Sequence, residues 1–180
     1  MDRTEAQGLM QAVAAGDRRA LARLIEAYGP GVQRYAAQVL ADPAEAEDIA
    51  QEVFLRAWGA AARYDPARGA VSTWLWRIAV RLCLDRNRRG AVRRFLGLDA
   101  AVEPADPAVG AETTLAARQD LACVRRAIGA LPDRQRQAIL LRAVGDLDTA
   151  EIAAVLGTSR GAVEQLLVRA RAALRRQIAG

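Results

Sequence analysis

Arginine carries most of the chemistry open to this 180-residue chain. Every one of its 26 basic residues is arginine, and it has no histidine. Guanidinium groups make planar, two-pronged contacts to phosphates and base edges. Three stretches gather such groups with others. At 74–89, Trp74 and Trp76 stand among Arg77, Arg81, Arg86, Arg88 and Arg89, so stacking surfaces sit beside phosphate-binding groups. That pairing suits unpaired bases. It also fits a tryptophan anchored in a small core beneath solvated arginines. At 159–176, Ser159, Arg160, Glu164, Gln165, Arg169, Arg171, Arg175 and Arg176 surround an apolar stripe. At 42–52 the charge reverses, with Asp42, Glu45, Glu47, Asp48 and Glu52 close together. Macrodipole complementarity at a helix start accounts for such a cluster. So does docking to a protein partner, since DNA would repel it.

Catalysis finds no support in the same inventory. Cys83 and Cys123 are too far apart for a zinc site of familiar spacing, and both fall at apolar helical positions. They read as buried, reduced thiols. No nucleophile stands beside a base, and no glycine-rich loop could cradle phosphates. The chain therefore reads as a binding protein and not an enzyme, with no cofactor and no metal. A formal charge of +5 favours an acidic partner such as nucleic acid. No apolar run reaches membrane-spanning length and no secretory signal opens the chain, so the expected location is the cytoplasm, without membrane insertion.

The elements that must position these groups are helical throughout. In residues 147–176, Asp148 and Glu151 have capping-box spacing. Ile152, Val155 and Leu156 then share one face, and Gly157 ends the helix. Ser159 starts a second helix with Val163, Leu166, Leu167, Ala170 and Leu174 inward. A short helix, a tight turn and a basic second helix give helix-turn-helix spacing, with the second helix as groove reader. A plain helical hairpin with a solvated basic face has the same spacing. Upstream, Asp17 opens a helix that Gly29-Pro30-Gly31 should kink or break. Asp42-Pro43-Ala44-Glu45 opens another, lined by Ile49, Val53 and Ala57. Residues 63–70 read as a loop. The helix from Val71 carries a core stripe of Leu75, Ile78, Ala79 and Leu82, which Trp74 and Trp76 cannot both join. Residues 91–112, rich in glycine and proline and acidic beyond Phe95, read as a flexible linker. The predicted fold is all-α: two small helical domains, 1–90 and 113–180, joined by that linker, the second a helix-turn-helix.

Four runs in this order resemble the extracytoplasmic-function sigma factors, the smallest class of bacterial RNA polymerase sigma subunits. They are AEDIAQEVFLRAW at 46–58, WLWRIAVRLCLDRNRR at 74–89, LPDRQRQAILLR at 131–142 and AEIAAVLGTSRGAVEQLLVRARAAL at 150–174. The resemblance implies that Asp48, Gln51 and Glu52 dock on core RNA polymerase. It implies that Tyr64, Arg68, Thr73, Trp74, Trp76, Arg77, Arg81, Arg88 and Arg89 meet the minus-ten element of promoter DNA and help open it. Of the two tryptophans, Trp74 is expected to be the more structural. Ser159, Arg160, Glu164, Gln165, Arg169 and Arg171 would read the minus-thirty-five element, and an anti-sigma factor would be a further partner. The chain departs from the family's usual residues at Arg81, Ala162, Glu164 and Leu166, where asparagine, threonine, lysine and arginine are common. Two other readings stand beside this one: a sigma-like protein that titrates an anti-sigma factor, and a plain helix-turn-helix regulator.

Overall fold

The computed structural model describes residues 1–40, 42–96 and 115–178, with side chains for all of these except Arg94 and residues 115–121. Eight α-helices and three short 3-10 turns account for its regular structure, with no strand among the described residues.

Helix starts are set by aspartates. Asp2 precedes α1 (Arg3–Ala14) and accepts from the Glu5 N–H at 2.8 Å. Asp17 precedes α2 (Arg18–Val39) and accepts from Arg19 and Ala20. The expected interruption at Gly29-Pro30-Gly31 does not occur, and α2 runs through Pro30. Leu24, Val32, Tyr35 and Val39 are buried in phase on both sides of the proline. That shared face outweighs the roughly 3 kcal/mol cost of an interior proline. Asp42 caps a 3-10 turn at Pro43–Glu45, which leads into α3 (Ala46–Ala60).

The next helix, α4 (Val71–Phe95), buries Val71, Leu75, Trp76, Ala79, Val80, Leu82 and Cys83. Burial pushes the Cys83 thiol up to about 12, against the pull of Arg86, so it stays neutral. Arg86 reaches Glu45 Oε1 at 2.7 Å, and Asn87 donates to the Val39 carbonyl at 2.8 Å. These bonds pin α4 to the α2–α3 junction. The helix continues past Gly90, so residues 91–95 of the expected linker belong to it. A glycine inside a helix costs only about 1 kcal/mol relative to alanine, and the flanking arginines and Ala91 are good helix formers. The rest of the expected linker, 97–112, lies outside the described residues.

The second half comprises α5 (Leu115–Gly129), α6 (Asp133–Ala143), α7 (Thr149–Leu156) and α8 (Arg160–Ile178). Asp148 and Glu151 form the full capping box, with bonds of 2.8 and 2.9 Å. Gly157 ends α7 in the left-handed region at φ 62°, and Ser159 Oγ accepts from the Ala162 N–H at 3.2 Å. Ile152, Val155, Val163, Leu167 and Ala170 are buried between α7, α8 and α6.

The two halves dock. Helix α7 lies against α4, while α5 and α6 touch α2, so buried residues of both halves form one continuous cluster. Trp76 sits at that junction, 2 % exposed, with its ring edge-on to Tyr35 at 5.4 Å. Trp74, by contrast, is only half-buried.

Two stability predictions follow from these placements. Asp148→Ala removes the capping box and should lower stability by about 1 kcal/mol in urea denaturation. Trp76→Ala should cost about 3–5 kcal/mol, as for other buried large-to-small changes, and Trp74→Ala roughly half of that or less. Equal losses at the two tryptophans would contradict their opposite burial.

Candidate nucleic-acid interface

Residues 61–70 form two 3-10 turns, Ala61–Arg63 and Pro66–Arg68, before α4 begins. Asp65 caps the second by accepting from the Ala67 N–H at 2.9 Å. Gly69 follows at φ 144°, where a side chain would be strained, so the sharp reversal into α4 needs glycine. Tyr64 staples this loop, its hydroxyl donating to the Gly69 carbonyl at 3.0 Å. Burial raises the Tyr64 pKa, against the pull of Arg3 and a hydrogen bond with Gln7, so the hydroxyl stays a donor.

The staple sets Tyr64 edge-on to Trp74, with ring centroids 5.8 Å apart and planes 61° apart. The two rings stand in a cleft of about 240 Å³ that also has Arg63, Arg68, Thr73, Arg77 and Arg81 in its wall. Aromatic faces ringed by guanidinium groups offer stacking together with phosphate contacts. Of nine residues expected at the minus-ten element, six converge here: Tyr64, Arg68, Thr73, Trp74, Arg77 and Arg81. Thr73 is 4 % exposed, so it shapes the wall. Trp76 is a correction: it points away from the cleft into the core, and Trp74, expected to be structural, is the one in the cleft. Two positions along a helix turn a side chain by about 200°, so only one of the pair could face each way. Arg88 and Arg89 lie further along α4, and Arg89 faces a different depression. Arg63, not among the expected residues, belongs to the cleft; its place just before Tyr64 was the available signal.

That other depression, of about 410 Å³, gathers Asp48, Gln51, Glu52, Leu55, Arg56 and Arg89 along α3 and α4. Glu52 pairs with Arg56 at 2.8 Å, and Gln51 donates to Glu47 at 3.5 Å. Leu55 is 67 % exposed in the middle of this polar face, an apolar group sequence spacing alone did not single out.

On α8, Arg160, Glu164, Gln165, Arg169 and Arg171 all face solvent, opposite the buried stripe of Val163, Leu167 and Ala170. Arg160 and Glu164 pair at 3.3 Å on that outer face. Among the described residues, no cluster of His, Cys, Asp and Glu could hold a metal ion, and no helix is long and apolar enough to cross a membrane.

Comparison with known proteins gives these surfaces a family. The model of Sigma-70 region 2 matches residues 24–93, which include both the acidic face and the cleft. The model of Sigma-70, region 4 matches residues 121–174, which include the helix-turn-helix. The RNA polymerase sigma factor CnrH of Cupriavidus metallidurans is 34% identical, over 97% of this chain and 95% of its own. The ECF RNA polymerase sigma factor SigW of Bacillus subtilis is 32% identical, over 92% of each chain. The structure of CnrH in complex with the cytosolic domain of CnrY matches with a TM-score of 0.75 at 28% identity, covering 97% of both chains. The sigma factor RpoE in complex with the anti-sigma factor NepR from Bartonella quintana shares the fold, with a TM-score of 0.76 at 20% identity, over 87% of this chain and 95% of that one. With both regions matched in order and relatives aligned along nearly their whole length, this chain belongs to the extracytoplasmic-function sigma factors of the sigma-70 family.

Proposed function

We propose that the three surfaces divide the work of promoter recognition. The acidic face at Asp48, Gln51 and Glu52 docks on core RNA polymerase. The cleft around Tyr64 and Trp74 holds a base of the minus-ten element out of the stack, with Arg68, Arg77 and Arg81 on the flanking phosphates. The outer face of α8, from Ser159 to Arg171, lies in the major groove of the minus-thirty-five element. The protein works in the cytoplasm, where the polymerase is, and an anti-sigma factor is its expected regulator. It promotes strand opening by binding and not by covalent catalysis. Unstacking costs a few kcal/mol per base, and stacking on an aromatic ring returns about 1–3 kcal/mol.

The observation that carries this reading is the cleft itself. Tyr64 and Trp74 are 5.8 Å apart and held by the Tyr64–Gly69 bond, so the stacking surface is formed before any DNA arrives. Pre-organisation of that kind lowers the ordering cost of binding.

Run-off transcription with purified core polymerase tests the whole reading. In permanganate footprinting of the same complexes, Trp74→Ala with Arg81→Ala should reduce reactivity of promoter thymines roughly five- to hundredfold, the loss of one stacked base at about 1–3 kcal/mol. Closed-complex binding should change little. Undiminished reactivity would remove the cleft from strand opening.

Core docking has its own test. Asp48→Arg with Glu52→Arg should weaken co-purification with core while lowering stability by no more than about 1 kcal/mol, the scale of the surface Glu52–Arg56 pair it removes. Wild-type affinity in that double variant would assign the docking to another surface.

A further inference from the structure

The end of α4 carries an apolar stripe that the fold does not bury. Every described side chain from Ala91 to Leu96 is exposed, and Phe95 is 89 % exposed. Val92, Phe95 and Leu96 fall on one side of the helix, with Arg88 one turn earlier on the same side. The Leu96 N–H donates to the Val92 carbonyl at 3.0 Å, so the stripe keeps helical register to its end. Arg88, Arg89 and Arg93 flank it, all exposed. Contiguous exposed apolar groups of this kind mark an interaction surface.

The same half of the molecule has an apolar groove between α2 and α3, of about 610 Å³. Phe54 forms its floor, and the exposed Ile25 and Leu55 stand on its walls. Gly29 keeps the floor open: a methyl group added there would touch Ile25 Cγ2 at 3.5 Å and Phe54 Cε2 at 3.7 Å. Among the described residues, the charged groups lining the groove are Glu26 and Glu47, both exposed carboxylates. Groove and stripe are therefore complementary: one is apolar with a negative rim, the other apolar with a positive flank. They do not meet within one chain, and no residue of α4 lines the groove. Arg86 on Glu45 at 2.7 Å and Asn87 on the Val39 carbonyl at 2.8 Å fix α4 just before the stripe. From that anchor the helix runs on unbroken to Phe95. At about 1.5 Å per residue the exposed end is roughly 9 Å long, and a continuous helix cannot turn its tip back into the groove of its own half.

We propose that a second copy of this chain fills the groove. Val92, Phe95 and Leu96 of one copy lie between α2 and α3 of the other, with Arg88 and Arg89 toward Glu26 and Glu47, and the exchange is reciprocal. A reciprocal contact closes on itself, so it gives a two-fold dimer and not an open chain. Phe95 is the anchor, an aromatic side chain seated in a pocket. Gln51 and Leu55 line both this groove and the depression proposed to dock on core polymerase, so core and the second copy compete for one surface. The fraction of chains able to take up core then falls as the protein accumulates, by mass action. That competition rests on the core-docking reading; the dimer itself does not.

Sedimentation velocity of the full chain tests the dimer. Between about 1 and 100 µM the wild type should pass reversibly from monomer to dimer, the range of a micromolar contact. Phe95→Glu replaces the exposed anchor by a carboxylate facing Glu26 and Glu47, and should raise the dissociation constant at least roughly tenfold. Ile25→Glu should do the same from the groove side. Each variant alone loses both contacts of its homodimer. A mixture of the two keeps one intact stripe and one intact groove, and should associate where neither variant does alone. Should Ile25→Glu fail to fold by circular dichroism, Glu26→Arg with Glu47→Arg takes its place in the mixture. A wild type that stays monomeric throughout that range overturns the proposal. So does a dimer that persists in Phe95→Glu, a mixture that fails to associate, or assembly that continues beyond the dimer. A monomeric wild type that floats with phosphatidylglycerol vesicles, with Phe95→Glu left behind, assigns the stripe to a lipid surface and overturns the second copy. Core polymerase added to the dimer should dissociate it. A dimer that binds core intact overturns the competition, so failure of the core-docking reading shows only when core is present, and failure of the dimer shows without it.

Discussion

The indole of Trp76 is the point on which both halves of the molecule close. It fills the space between α2 and α4, meets Tyr35 edge-on at 5.4 Å, and is approached from the second half by the backbone at Gly145. Burying so large a ring fixes the rotation of α4 about its own axis. Once Trp76 faces inward, Trp74 must face outward, and Arg77 and Arg81 must flank it at i+3 and i+7. The cleft is therefore a consequence of core packing: the same helix rotation that buries Leu75, Ala79 and Cys83 presents Trp74 and its arginines to solvent.

Charge is sorted by the same geometry. Arg86 turns toward Glu45 at 2.7 Å and Asn87 toward the Val39 carbonyl, which turns this stretch of α4 toward α2 and α3 and away from the cleft. That pair is about one-third exposed, so its contribution is on the order of 0.2–1 kcal/mol; its larger effect is to hold α4 in register with α3. Beyond it, Arg89 joins Asp48, Glu52 and Arg56 at a depression of mixed charge. One helix thus serves a basic cleft at its start and a neighbour of mixed charge two to three turns later. The carboxylates of that neighbour are carried mainly by a different helix, α3, where Arg56, Arg86 and Arg89 offset them.

Local rules were enough where the chain's own neighbours decide the outcome. The capping box at Asp148 and Glu151, the left-handed Gly157, the Ser159 cap and the Asp42-Pro43 start all depend on residues within four positions, and each was legible. The misses share a different cause. Pro30 and Gly90 looked like breaks because their local cost is unfavourable; partners distant in sequence, on α1, α3 and α4, keep α2 intact, and the helix formers around Gly90 carry α4 onward. The two tryptophans were distinguishable as opposites from their spacing. Which one faced inward depended on Tyr35 and on a loop some 70 residues away, and no local pattern contains that. The docking of the halves was illegible for the same reason: Gly31 read as part of a helix interruption, and no sequence pattern singled out Gly145, until something is seen to approach them.

Helix α8 carries a comparable ambiguity in miniature. Glu164 holds Arg160 at 3.3 Å, and both are well exposed, so the pair contributes at most a few tenths of a kcal/mol to the helix. Its interest lies in what it does to the exposed surface of α8. An arginine tethered to a carboxylate one turn away is partly neutralised, and both groups stand on the face opposite the buried stripe. A duplex entering there meets less positive potential than the count of arginines on α8 suggests. Arg169 and Arg171, further along and exposed, remain to attract phosphates. On the proposed reading of α8, affinity and selectivity would fall to different turns of the helix. The later arginines would supply the salt-dependent attraction common to every sequence. The Arg160–Glu164 pair would open only where base edges return what it gives up, for Arg160 a guanine and for Glu164 the amino group of a cytosine. A pair this weak is well matched to that task, because a stronger one would cost more than a single base contact of about 1–3 kcal/mol could offset.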